Sequence, residues 1–133
     1  MRKNRWLAKT MLVISLASFC SIGLAKTVKN EFSDGQTGVA SYFHDKYHGQ
    51  KTASGERYDK NDLTAAHATL PFGTVIHVVN LSNNLSVDVR VNARAHRSNK
   101  RLLDLSKQAA KELGFIQAGI ANVKITIVRL GEA

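Results

Sequence analysis

The sequence predicts a mainly β domain, a closed barrel of short strands with one or two short helices. Three observations predict it. Short segments of strand-forming residues recur along the chain, separated by glycine- and asparagine-bearing turns. Two of them, Ser86–Asn92 and Asn122–Leu130, alternate apolar and polar residues, the first strictly. Only Lys107–Leu113 has a clear helical pattern, too little helix to cover an open sheet.

The elements follow in chain order. Gly38–Phe43 (GVASYF) is rich in strand formers and predicts the first strand. His44–Asp62 is polar, with Gly49 and Gly55 and no apolar run, so it reads as one long loop of the kind that carries function. Leu63–His67 leads into a turn at Leu70-Pro71-Phe72-Gly73. Thr74–Leu81 (TVIHVVNL) is apolar on both parities and predicts a strand buried on both faces. Ser82-Asn83-Asn84 forms a tight turn, since asparagine tolerates left-handed backbone angles. Beyond it, Val87, Val89 and Val91 point one way and Ser86, Asp88 and Arg90 the other. Leu102–Leu105 is a short strand or strand end. Ser106 is placed to cap the helix 107–113, and Gly114 to close it in the left-handed conformation. Asn122–Leu130 is the last strand.

The N-terminus carries a different signal. Arg2, Lys3, Arg5 and Lys9 precede the uncharged stretch Met11–Cys20, and Gly23-Leu24-Ala25 sets small residues before Lys26. Charge, apolar core and small-x-small exit are the marks of a secretory signal peptide over 1–25, with an uncleaved anchor as the alternative. The apolar run is short for a permanent span, so no stable membrane span is expected after cleavage. Phe19 directly before Cys20 disfavours lipidation there. Residues 26–36 read as a flexible lead-in and 37–131 as the domain. Export places the domain in the periplasm or cell envelope, as a monomer. Without residues 1–25 it has about 108 residues, one domain with a modest core. It then holds no cysteine, so neither disulfide nor thiolate chemistry is available.

The whole chain carries 19 Lys and Arg against 10 Asp and Glu, formally +9. The signal removes four of the cations and none of the acids, leaving about +5. A basic exported domain suits an anionic polymer, and nucleic acid is not expected as a partner outside the cell.

The motifs narrow this. Gly38–Phe43, Tyr47-His48-Gly49, Thr52-Ala53-Ser54-Gly55-Glu56 and Ala65-Ala66-His67 fall in one register with Leu70-Pro71-Phe72-Gly73-Thr74, Val89-Arg90-Val91-Asn92 and Asp104-Leu105-Ser106. In this run the chain resembles the rare lipoprotein A family from residue 38 to about 129. The resemblance implies a six-stranded double-psi β-barrel, related to those of expansins. It implies a lytic transglycosylase or glycan-binding protein acting on peptidoglycan glycan strands, with cell-division or cell-wall proteins as further partners. It implies no metal and no cofactor.

That reaction needs an acid for the glycosidic oxygen, then a base for the proton of the sugar's own 6-hydroxyl, which closes an anhydro ring. One carboxyl serves both steps if a partly dry site raises its pKa. Glu56, on the glycine-bearing loop, matches the family's functional glutamate. His67 matches a functional histidine, placed to orient Glu56, bind sugar or share a proton. Tyr42, Tyr47 and His48, with Phe43, offer aromatic faces to sugar rings. Asn92, Arg94 and Asp104 complete the expected substrate contacts, and the basic run Arg94, Arg97, Lys100 and Arg101 suits carboxylates of the polymer. His44 and His48 have helical spacing but lie in a loop, so no metal site is expected of them.

One position departs from the pattern. Where the family reads asparagine-aspartate-arginine-glycine-proline, this chain reads Asn92-Ala93-Arg94-Ala95-His96. Alanine transfers no proton. Either Glu56 alone suffices, or Asp104 reaches the cleft, or the domain binds glycan without cutting it.

Overall fold

The computed structural model describes residues 35–96, 98 and 100–132. The expected signal over 1–25, Cys20, the lead-in before Gly35 and Arg97 lie outside the described residues. The elements are β1 (Gln36–Tyr42), a 3₁₀ turn (Asp45–Tyr47), β2 (Thr64–Ala66), β3 (Val75–Asn80), β4 (Ser86–Ala93), β5 (Leu103–Leu105), α1 (Lys107–Leu113) and β6 (Ile120–Arg129). β1 starts at Gln36, one residue ahead of the expected domain boundary.

The six strands close into a barrel, as expected, and their order around it is β1-β5-β2-β4-β3-β6. β1 runs parallel to β5, with Ser41 opposite Asp104, and β2 runs parallel to β4, with Thr64 opposite Arg90. The other four ladders are antiparallel. Every ladder joins a strand of the first three to a strand of the last three, and exchanging β1 with β4, β2 with β5 and β3 with β6 reproduces the same pairings. The chain thus has a topological two-fold that no sequence repeat announces. Closure leaves no unpaired sheet edge.

Side-chain alternation fills the barrel. Ile76 and Val78 from β3, Val89 and Val91 from β4, Leu103 and Leu105 from β5 and Val123 from β6 are fully buried. Each such side chain contributes roughly 1.5–3 kcal/mol by leaving water. Ala109, Ala110 and Leu113 of α1 pack on the same core. Ser106 caps that helix, its Oγ accepting from Ala109 N (3.3 Å), and Gly114 ends it at φ 75°. Gly38 is required by contact, because a Cβ there would lie 2.7 Å from Leu102 Cβ.

The expectation that Thr74–Leu81 is buried on both faces was wrong. Thr74, Ile76, Val78 and Asn80 are buried, while Val75, His77 and Val79 are half-buried on the outer face and Leu81 is exposed. The sheet is covered on one side only, and β-branched residues serve the outer face of a strand as well as the inner one. Asn80 turns inward because its amide donates to the Leu113 carbonyl at the end of α1 (2.8 Å). The turn after β3 places Asn84 at φ 61°, the left-handed conformation its asparagines predicted.

Candidate active site

β1 and β2 lie on either side of β5 and do not pair with each other, and the long segment 43–63 carries the chain between them. That segment is ordered by its own bonds. Residues 49–58 fold back as a small hairpin, with Gly49 N donating to Tyr58 O (2.8 Å), Tyr58 N to Gln50 O (2.8 Å) and Thr52 N to Glu56 O (2.7 Å). Gly49 (φ 83°) and Gly55 (φ 90°) supply the turns, in a conformation that costs other residues about 1 kcal/mol or more. The base is bolted to the helix: the Tyr58 hydroxyl accepts from Lys107 N (3.1 Å), and Lys107 Nζ reaches Asp45 (2.8 Å). Burial pushes the Tyr58 phenol above its ordinary pKa.

The hairpin and β4 together enclose a cavity of ≈ 210 Å³. Phe43, Tyr47 and Tyr58 form its aromatic wall, with Phe43 packed 6.0 Å from Tyr47 and 5.1 Å from Tyr58 between ring centroids. Gln50, Lys51, Thr52 and Ala53 line it from the hairpin, and Ala93 and Arg94 from the end of β4. No carboxylate is among these lining residues. Ala93 is buried with Ala66 and Ala95 against Phe43.

Glu56 lies on the same hairpin. Its Oε1 and Oε2 accept from Arg90 Nη1 at 2.8 and 2.9 Å, and Oε2 also accepts from Asn92 Nδ2 at 3.3 Å. The Asn92 carbonyl in turn accepts from Ser54 N (3.3 Å). The Glu56 side chain keeps 47% of its surface exposed. Hydrogen bonds from Arg90 and then Asn92 hold its carboxyl below the ordinary glutamate pKa, and the slight burial opposing them is too small to win. The partly dry, raised carboxyl imagined from sequence is therefore absent from the free domain. Arg90 went unassigned in the sequence reading, although the alternation of β4 already put it on the outer face with Asn92 two residues on.

His67 is buried beside the start of the cavity-forming strand end, its N–H donating to the Ala93 carbonyl (3.2 Å). Its Nδ1 accepts from both Thr69 N and Leu70 N (3.1 Å each). Two donors on Nδ1 place the ring hydrogen of the neutral form on Nε2. Burial and then the charge of Arg94 push the imidazole below its ordinary pKa, so it is neutral at pH 7. Among the described residues no hydrogen bond joins His67 to Glu56; Arg90 and Asn92 orient the carboxylate instead.

The remaining expected residues divide. Tyr47 lines the cavity; Arg94 does too, while its Nη1 donates to the carbonyls of His67 (3.2 Å) and Leu70 (2.6 Å) and its guanidinium stacks 4.0 Å from the Phe72 ring. Tyr42 is not brought to the cavity. Its hydroxyl donates to Ile116 O (2.8 Å) and its ring meets Phe115 at 5.9 Å, because strand alternation turns it away from Phe43's side. His48 is also off the cavity lining, its Nδ1 accepting from Lys60 N (3.2 Å). Asp104 sits at the other parallel pair, where its Oδ1 accepts from Ser41 Oγ (2.6 Å) and Arg101 Nε (2.9 Å). It does not line the cavity, so it offers no replacement for the missing aspartate there. Tyr58, Gln50, Lys51 and Thr52 were not singled out from sequence as cavity residues. Their signal was the glycine-punctuated loop itself. Among the described residues no group of three or more His, Cys, Asp or Glu side chains is arranged to hold a metal, and no helix is long and apolar enough to cross a membrane.

This geometry defines a class first: a double-psi β-barrel with a carboxylate-bearing hairpin over an aromatic cavity. Solved structures share the fold. The Streptomyces papain inhibitor superposes with TM-score 0.60 at 21% identity, over 76% of this chain and all of that one. A mutant Clavibacter michiganensis expansin in complex with cellohexaose gives 0.59 at 19% identity, over 75% of this chain and 53% of that one. The particular family is given by sequence. The lytic transglycolase family model matches residues 35–125, and the chain belongs to that family. It is 44% identical over 117 residues to the endolytic peptidoglycan transglycosylase RlpA of Neisseria meningitidis serogroup B, covering 87% of this chain and 49% of that protein. To the protein of that name from Haemophilus influenzae it is 50% identical over 95 residues, 71% of this chain and 33% of that one. The chain thus spans about half the length, or less, of these curated relatives.

Proposed function

We propose that this domain acts in the cell envelope on the glycan strands of peptidoglycan, as a lytic transglycosylase that leaves anhydro-muramyl ends. One observation carries the reading: a single hairpin, residues 49–58, supplies both Glu56 and most of the cavity's polar lining, while β4 supplies the cavity floor and the anchors of Glu56. A sugar held against Phe43, Tyr47 and Tyr58 stacks on aromatic faces beside a carboxyl group. The naming of the relatives as endolytic peptidoglycan transglycosylases supports the substrate.

In the reaction, protonated Glu56 gives its proton to the glycosidic oxygen as the bond from the anomeric carbon breaks. The same sugar's 6-hydroxyl then attacks that carbon and returns its proton to the Glu56 carboxylate, so no water is consumed. His67, neutral with its hydrogen on Nε2, serves as a hydrogen-bond donor and not as a cation.

A second reading is favoured by one specific observation. The position of the family's aspartate is a methyl group, Ala93, and no carboxylate lines the cavity. On this reading the domain binds glycan and has weakened turnover. Purified glycan strands incubated with the protein and analysed by mass spectrometry separate the two. Anhydro-muramyl ends support cleavage; their absence, with retained sedimentation on sacculi, leaves the binding reading alone. Ala93→Asp places a carboxyl at the cavity floor and is expected to raise the yield of anhydro ends by about 100-fold, the lower end of the range typical of general acid–base groups. An unchanged yield means that Ala93 is not what limits the reaction.

A further inference from the structure

Nothing in the proposed reaction assigns a role to Arg90, yet it holds the one carboxyl that reaction uses. We propose that Arg90 is the positioning residue of the site: from the rigid wall of β4 it anchors both oxygens of Glu56 and holds that carboxyl in place as an ion pair. The inference rests on the cleavage reading for its consequence, and on geometry for its substance.

The geometry is one-sided. Both anchors of Glu56 come from alternate positions of one strand, Arg90 and Asn92, while Val89 and Val91 between and before them are locked in the barrel core. Arg90 sits mid-sheet, opposite Thr64 of β2 and Val75 of β3. Its backbone N–H donates to Leu63 O (3.1 Å). The hairpin holds Glu56 by its backbone, the carbonyl accepting from Thr52 N (2.7 Å) and Thr52 Oγ1 (2.9 Å), whereas its carboxylate is held from β4, by Arg90 and Asn92. Position therefore comes from β4. Charge does as well. Neither Thr64 nor Val75 brings an ionisable group to this register, and within the hairpin Arg57 Nη1 is turned to the Gly49 carbonyl (2.9 Å). Lys51 stands across the bridge from Arg57 and lines the cavity. The depressed pKa of Glu56, caused first by the Arg90 hydrogen bond, agrees with this assignment.

The consequence concerns the first step. A carboxyl that must donate a proton is held in the form that has none. The rate should therefore fall as pH rises through the Glu56 titration, and the ion pair places that fall on the acid side of an ordinary glutamate.

The test uses the protein, Arg90→Gln and Arg90→Lys, with ¹³C-labelled glutamate to follow the Glu56 carboxyl by NMR, and anhydro-end release measured across pH. Arg90→Gln is expected to move the Glu56 titration upward and to carry the alkaline-side limb of the release profile, where the rate falls with rising pH, to higher pH with it. Arg90→Lys should restore most of the shift. An unmoved titration in a folded Arg90→Gln protein overturns the proposal, and so does a release profile that stays in place while the titration moves. If the titration moves but neither the parent nor any variant releases anhydro ends at any pH, the anchoring stands and the cleavage reading falls.

Discussion

Among the described residues two carboxylates are each bound by an arginine, and they differ in what surrounds the pair. Asp104 lies in β5 opposite Ser41 of the parallel strand β1, with only 13% of its side chain exposed, and its Oδ1 takes both the Ser41 hydroxyl and Arg101 Nε. Glu56 lies on a hairpin outside the barrel, nearly half exposed, and meets the barrel only through the tips of Arg90 and Asn92. Asp104 is mostly buried and ties β5 to β1 through Ser41; the Glu56 pair ties a loop down and leaves a charged group open to a ligand. An ion pair of the same chemistry thus serves architecture at one crossover and availability at the other. Burial decides which, because desolvation and shared hydrogen bonds commit a charge to the fold while exposure leaves it weakly coupled.

The sharpest way to break this comparison is through activity. Glu56→Gln keeps the size of the side chain and is expected to lower anhydro-end release about 100-fold or more, with thermal unfolding little changed. Asp104→Ala should do the reverse, costing about 2 kcal/mol in denaturant unfolding by stranding the Ser41 hydroxyl and the arginine. A double-mutant cycle with Ser41→Ala should show the two coupled; additivity would separate Asp104 from β1. A smaller effect is expected from the buried imidazole. His67 has a folded pKa below its unfolded value, so its contribution is complete above about pH 6.5 and is lost as pH falls below it, when the unfolded chain gains a proton the fold resists. His67→Gln should flatten the slope of unfolding free energy between pH 7 and 5. The smallest effect is the stability due to the Glu56–Arg90 pair. After allowance for solvent screening it is below about 1 kcal/mol, present above the ordinary glutamate pKa and lost as pH falls through the depressed one. Salt titration of Glu56→Gln against the parent measures it.

The elements of the fold were legible because they obey local periods. The β3–β4 hairpin, the Ser106 cap and the Gly114 stop are each written within a few residues. Tyr42 was misplaced because adjacent residues of a strand face opposite ways, and the aromatic pair Tyr42-Phe43 does not say which member looks outward. Glu56 was found through its motif, but its charge state was not legible, since that depends on Arg90, 34 residues away across a crossover. Alternation told that Arg90 points outward; only closure of the barrel told what lies there. Tyr58 was missed for the same reason, its burial arising from the docking of the hairpin on the end of α1.

The interleaved pairing of the barrel also sets when it can form. Both neighbours of β1 are β5 and β6, and no ladder lies wholly within β1–β3 or within β4–β6. As synthesis proceeds, the first strand therefore waits for β5 before it can pair at all and for β6 before the barrel closes, and neither half can serve as a folded intermediate by sheet formation alone. Such non-local closure makes folding slow relative to a helical bundle of this size, and it leaves β1 without a partner until most of the domain has been made.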